Sequence, residues 1–232
     1  QTKPVTRISV HELQASPIDW SRFDARRPQD LHRKPKHQLR PHQQEALDDV
    51  ISGFEEADRG KLIMACGTGK TFTALRIAET MASGGPILVL VPSLSLLSQT
   101  LREWTAQATH GIHALAVCSD PSIGKRRTKR QGDTEDITVH DLAFPATTND
   151  KQLATQYRHM AKSAAKDDAN KLTVVFSTYH SIEAVHKAQK AGLPQFDLVI
   201  CDEAHRTTGV TLVGEDESHF VKVHDAGFIR AA

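Results

Sequence analysis

Apolar residues recur along the chain in two rhythms, short uninterrupted runs and longer stretches at helical spacing. After Pro41, a residue suited to a first helical turn, Ala46, Leu47, Val50, Ile51 and Phe54 share one face, which predicts a helix leading to the polar stretch that ends at Gly60. Leu62-Ile63-Met64-Ala65 reads as a strand, and Phe72, Leu75, Ala78 and Met81 then return to helical spacing. Ser83-Gly84-Gly85-Pro86 ends that helix, and Ile87-Leu88-Val89-Leu90-Val91 has the unbroken apolarity of a strand covered on both faces. Leu97, Leu101, Trp104 and Ala108 step along a further helix. His113 to Cys118 and Leu172 to Phe176 read as strands, Ser181 to Ala191 as a helix and Leu198 to Cys201 as a last strand. This alternation predicts an α/β fold, a mostly parallel sheet with helices on both faces.

Two stretches break the rhythm. Residues 1–38 are polar and interrupted by Pro4, Pro17, Pro28 and Pro35, which reads as an entry linker with a local staple of Ile18, Trp20 and Phe23. Residues 119–171 form a charged insertion within the lobe that runs over 39–232, with one helix expected near Lys151 to Lys166. Its basic run Lys125, Arg126, Arg127, Lys129 and Arg130 is either a solvated loop or a set of DNA phosphate contacts.

Composition narrows the function classes. The 232 residues suffice for a sizeable core, and 39% hydrophobic with 25% charged residues excludes a disordered chain. Lys and Arg number 29 against 28 Asp and Glu, so an anionic partner must be met by a local patch rather than by net charge. Cys66, Cys118 and Cys201 are too far apart for a zinc pairing or a disulfide framework, which suggests a reducing, cytoplasmic setting, and the thirteen histidines show no metal-ligand spacing with them. The longest apolar run cannot span a bilayer, so no membrane partner is expected.

The chemistry is concentrated in two segments. In Cys66-Gly67-Thr68-Gly69-Lys70-Thr71, glycines let backbone N–H groups close around phosphate oxygens at a helix N-terminus. Lys70 would reach the β- and γ-phosphates and the Thr71 hydroxyl would ligate Mg²⁺, although Met64 stands where the general phosphate-loop pattern has glycine. Asp202-Glu203 follows a buried strand, at the end where wound α/β sheets bind ligands. There Asp202 would hold Mg²⁺ through water and Glu203 would orient and deprotonate the attacking water. Alone, the first segment could be ordinary loop and the second a solvated helix cap. Together they supply both halves of a hydrolytic nucleotide site.

Gly67-Thr68-Gly69-Lys70-Thr71 with Asp202-Glu203-Ala204-His205 resembles motifs I and II of the superfamily 2 helicases and translocases, which implies a RecA-like P-loop NTPase lobe using ATP and Mg²⁺. Leu39-Arg40-Pro41-His42-Gln43 resembles the upstream adenine-reading motif, which implies that Gln43 selects ATP with support from Arg40. Val91-Pro92-Ser93 and Phe176-Ser177-Thr178-Tyr179 resemble motifs that face nucleic acid, implying contacts from Pro92, Ser93, Ser177, Thr178 and Tyr179. His205 would couple the ATP site to neighbouring motifs. The wording from Gly60 to Thr71, with Ser16-Pro17-Ile18-Asp19-Trp20 upstream, most resembles type ISP restriction-modification motors, with types I and III as relatives. The resemblance implies the first lobe of a DNA-dependent ATPase that translocates on double-stranded DNA. It also implies a second RecA-like lobe and nuclease, methyltransferase and target-recognition domains in a longer protein. The lobe is expected to be truncated before motif III and, alone, to bind and hydrolyse ATP weakly. An RNA or DNA-repair helicase lobe, or a non-catalytic ATP-switched nucleic-acid-binding module, are the competing readings.

Overall fold

The computed structural model describes residues 10–118, 146–167, 171–204, 229 and 231. The chain divides into two compact units, Gln1–Leu39 and Arg40–Ala232. In the first, helix α1 (Val10–Ala15) is followed by a 3₁₀ turn at Trp20–Arg22. The Trp20 indole N–H donates to the Leu13 carbonyl at 2.8 Å and lies edge-on to Phe23 with centroids 5.5 Å apart. An antiparallel bridge joins Ile18 to Arg33. The apolar cluster thus acts as a staple within its own unit, which carries more local order than a plain linker.

The second unit runs α2 (Pro41–Glu56), α3 (Lys70–Met81), β1 (Ile87–Val91), α4 (Leu94–Gln107), β2 (Ile112–Val117), α5 (Asp150–Asp167), β3 (Leu172–Thr178), α6 (Ile182–Lys190) and β4 (Leu198–Cys201). The strands form one sheet in the order β2-β3-β1-β4, and every pairing is parallel. All five residues of β1 are buried, as its unbroken apolarity predicts for a central strand. Alternate side chains divide between two layers. Leu88, Leu90, Leu115, Val117 and Val175 join Leu153 of α5 and Ile182, Val185 and Ala188 of α6 in one core. On the α4 side, Trp104 packs edge-on to Phe176 of β3, α4 packs on α3, and α3 on α2.

One predicted element is absent. Leu62 to Ala65 forms no strand, and Leu62 and Ile63 are 41% and 91% exposed. Apolar character needs a ladder partner to become a strand. Both sides of β1 are taken by β3 and β4, and among the described residues nothing pairs with 62–65. The other boundaries move by a residue or two, and β3 extends to Thr178. Within the insertion, the helix expected near Lys151 to Lys166 is α5 at Asp150–Asp167, and Ala146 bridges Ala116. The basic run at 125–130 lies outside the described residues, as does His205.

The turn before β1 is fastened to the entry of β4. The Asp197 carboxylate accepts the N–H groups of Ser83 and Gly85, each at 2.8 Å, and the Asp197 N–H donates to the Pro86 carbonyl at 2.9 Å. A Cβ at Gly85 would collide with that carboxylate. Gly85→Ala is therefore expected to cost about 2 kcal/mol through the two displaced bonds. In the Asp197→Ala background the same change should cost markedly less in a chemical-denaturation double-mutant cycle. Equal costs in the two backgrounds would contradict the latch.

Candidate nucleotide site

The loop entering α3 turns through left-handed backbone at Gly67 (φ 76°) and Gly69 (φ 87°). A Cβ at Gly69 would also strike the Gln43 side-chain amide, so conformation and space both demand glycine there. Gly69 is the N-cap of α3, with Lys70 and Thr71 in its first turn. The N–H groups that open a helix have no intrahelical acceptor and carry the positive end of its dipole, so this is a cradle for an anion.

Two buried side chains brace the cradle. The Gln43 amide donates to the Thr68 carbonyl at 2.9 Å, while its oxygen accepts the Arg40 backbone N–H at 2.9 Å. His42 Nε2 lies 3.2 Å from the same Thr68 carbonyl, and the Thr68 hydroxyl donates to the Ala65 carbonyl at 2.7 Å. Gln43, expected at the adenine, is 4% exposed and holds the loop against the start of α2, whereas the Arg40 side chain is exposed. From behind, the fully buried Trp104 donates its indole N–H to the Thr71 carbonyl at 2.9 Å. The motif at Leu39–Gln43 points to Gln43 but not to its use as a brace on the loop, and Trp104 reads in the sequence as one more apolar helix position.

The acidic segment arrives through the sheet. Leu90 of β1 pairs with Cys201 of β4, and the Asp202 N–H donates to the Leu90 carbonyl at 2.8 Å. The Asp202 Oδ1 accepts the Glu203 N–H at 3.0 Å, and the Tyr179 hydroxyl donates to the Asp202 carbonyl at 2.8 Å. Glu203 takes a left-handed backbone with φ 53°, the one positive φ at a non-glycine among the described residues.

The Asp202 carboxyl is raised above its ordinary value of 3.8. Burial is the leading cause and the Glu203 charge adds to it, against the Glu203 N–H and the Lys70 ammonium, which lower it. The helix that Lys70 opens, α3, packs against β4, the strand that runs into Asp202. Two adjacent carboxylates after β4 against the one ammonium of Lys70 are a net negative set that suits a cation. The donors, two carboxylates and the Thr71 hydroxyl, are hard oxygens, and no group of three His, Cys, Asp or Glu occurs among the described residues. That set fits Mg²⁺, which binds through few protein oxygens together with phosphates. Beside the pair, burial pushes the Cys201 thiol up to about 11, partly offset by a hydrogen bond with Tyr179, so the thiol stays neutral.

The residues expected at nucleic acid are placed differently. Pro92 and Ser93 are half-buried at the end of β1, and the Ser93 hydroxyl caps α4 by accepting the Leu96 N–H at 3.3 Å. Ser177, Thr178 and Tyr179 are buried in this lobe. β3 runs two residues beyond its predicted end, which carries them into the core, and the first exposed side chain beyond them is His180.

Comparison with known proteins places this geometry in context. The profile of the family described as "Type III restriction enzyme, res subunit" matches residues 36–223. A probable helicase of African swine fever virus is 31% identical over 170 residues, covering 73% of this chain and 16% of the relative. Among solved structures, the ATP-dependent type ISP restriction-modification enzyme LlaBIII bound to DNA superposes with a TM-score of 0.78 at 39% identity, over 93% of this chain and 13% of that one. A nuclease-deletion mutant of the type ISP enzyme LlaGI, in complex with a DNA substrate mimic, gives a TM-score of 0.64 at 37% identity, over 84% and 17%. The chain therefore spans between 13% and 17% of the length of these relatives. The fold is that of a RecA-like helicase lobe.

The raised Asp202 carboxyl favours the folded state at low pH, and this contribution is lost as pH climbs through the raised value, so the ionised side chain weighs against folding at neutral pH. Asp202→Asn is expected to melt at or above the wild-type temperature near pH 7, with the difference shrinking towards about pH 4. Differential scanning calorimetry checks this, and a midpoint more than about 2 °C below wild type near neutrality would contradict it.

Proposed function

Because the chain belongs to the family of the type III restriction enzyme res subunit, we propose that it is the ATP-binding first lobe of a motor that travels on duplex DNA within a restriction-modification enzyme. The reading is carried by one observation: α3, which Lys70 opens, packs against β4, which runs into Asp202, and this supports a common centre for the phosphate loop and the acidic turn.

In this site the N–H groups of Gly69, Lys70 and Thr71 and the Lys70 ammonium bind and orient a polyphosphate. The Thr71 hydroxyl and the Asp202 carboxylate, directly or through water, would hold Mg²⁺. Bound ATP with Mg²⁺ supplies an activated terminal phosphoryl group. Glu203, projecting from its left-handed turn beside Asp202, orients the attacking water and accepts its proton. Gln43 keeps the loop crest in place, and reading of the adenine by Gln43 with Arg40 is assigned from their motif position. His205 is assigned the coupling role that its motif position implies.

The DNA reading is supported by the two type ISP neighbours, one bound to DNA and one to a DNA substrate mimic. Duplex DNA would pass the ends of β1 and β3, where Pro92, Ser93 and the exposed His180 lie, with Ser177, Thr178 and Tyr179 shaping that rim from within. A second RecA-like lobe, nuclease, methyltransferase and target-recognition domains complete the proposed enzyme.

Fluorescent ATP-analogue binding in Mg²⁺ separates the roles. Lys70→Ala is expected to weaken binding roughly ten- to hundredfold, as loss of a charge-assisted phosphate contact should. Glu203→Gln should bind within about twofold of wild type while losing hydrolysis. Unchanged affinity in Lys70→Ala would remove the phosphate-loop assignment.

A further inference from the structure

The Tyr179 hydroxyl does more than fill a place in the core. Tyr179 opens the 3₁₀ turn at Tyr179–Ser181 that follows β3, is fully buried, and crosses from β3 to donate to the Asp202 carbonyl at 2.8 Å. That carbonyl and the Glu203 N–H belong to one peptide plane. The carbonyl is held by Tyr179, and the N–H by the Asp202 carboxylate at 3.0 Å. The plane is thus clamped at both ends, just where the chain enters the left-handed conformation of Glu203 (φ 53°). A non-glycine residue in that region costs about 1 kcal/mol and persists only where its surroundings over-determine it. The Asp202 N–H, fixed to Leu90, secures the strand side of the turn, and the orientation of the plane beyond it is set by ψ of Asp202 and φ of Glu203. The Tyr179 bond ties the plane to another element of the fold.

Resting on the nucleotide-site reading above, we propose that Tyr179 is a positioning residue, whose hydroxyl clamps the Asp202–Glu203 peptide so that the Asp202 carboxylate is aimed at Mg²⁺ and Glu203 at the attacking water. Without the hydroxyl the plane can rotate, the Asp202 carboxylate loses the N–H that sets its rotamer, and the metal site loosens while the phosphate cradle on α3 stays intact. The same bond makes the turn at 179–181, beside the exposed His180, mechanically continuous with the acidic pair.

Tyr179→Phe tests this in the 232-residue chain, with a fluorescent ATP analogue titrated in EDTA and then across Mg²⁺ concentrations. The analogue should bind in EDTA within about twofold of wild type, since the cradle is untouched. The Mg²⁺ concentration at half-effect should rise roughly tenfold, the scale expected when a metal-ligating group loses its support. A folded Tyr179→Phe protein with the wild-type Mg²⁺ midpoint overturns the proposal. A second measurement does not depend on that variant folding. The chain has two tyrosines, so meta-fluorotyrosine incorporated in a Tyr157→Phe background reports Tyr179 alone. Its fluorine resonance should move when Mg²⁺ is added to the nucleotide-bound protein, and a stationary resonance overturns the clamp. A wild-type chain that binds no nucleotide would remove the nucleotide-site reading itself, and the positioning role with it.

Discussion

The site depends on the parallel register of β1 with β4. Ile87 stands opposite Leu198 and Leu90 opposite Cys201, and the ladder closes with the Asp202 N–H on the Leu90 carbonyl. A slip of one residue would turn Asp202 to the other face of the sheet and away from Lys70. The register is protected because β1 is buried at every position and β4 enters through a fixed turn, with Asp197 gripping the backbone of Ser83 and Gly85. Burial of an apolar strand thereby sets the distance between two charged segments separated by more than a hundred residues of sequence.

A second regularity concerns how the reactive backbone is held. Gln43, Trp104 and Tyr179 are almost fully buried, and each directs one polar hydrogen at a main-chain carbonyl: Thr68, Thr71 and Asp202 respectively. These carbonyls lie on the loop crest, in the first turn of α3 and on the acidic turn. A buried donor must find a partner, and a backbone carbonyl at the site is fixed by providing one. The three side chains thus exchange their own polar requirement for rigidity at the two segments that carry the chemistry, where left-handed Gly67, Gly69 and Glu203 concentrate the unusual backbone.

Much of the fold was legible because buried parallel strands announce themselves. The unbroken run from Ile87 to Val91 could hardly be anything but a central strand, and the alternation around it gave the sheet and its helices. Leu62 to Ala65 misled for the same reason, since apolarity reports a wish for burial and not whether the segment pairs with a neighbouring strand. At the site, the glycines and Lys70 were readable from spacing because phosphate binding by backbone imposes a sequence pattern. The inward placement of Ser177, Thr178 and Tyr179 was not, because a polar residue at the end of a strand has the same sequence appearance whether it faces solvent or a buried carbonyl. Gln43 shows the same ambiguity: its amide could serve a base or a loop, and only its bonds to Arg40 and Thr68 reveal the second use.

The central claim is that the phosphate loop and the acidic turn act on one ligand. A double-mutant cycle between Lys70→Ala and Asp202→Asn, read by calorimetric titration of an ATP analogue in Mg²⁺, tests it most directly. Convergence on a shared metal–phosphate centre predicts that the double variant loses less affinity than the two single losses combined, with a coupling of about 0.5–3 kcal/mol. Losses that add within about 0.5 kcal/mol would mean that the two segments work at separate places, and the account would fail.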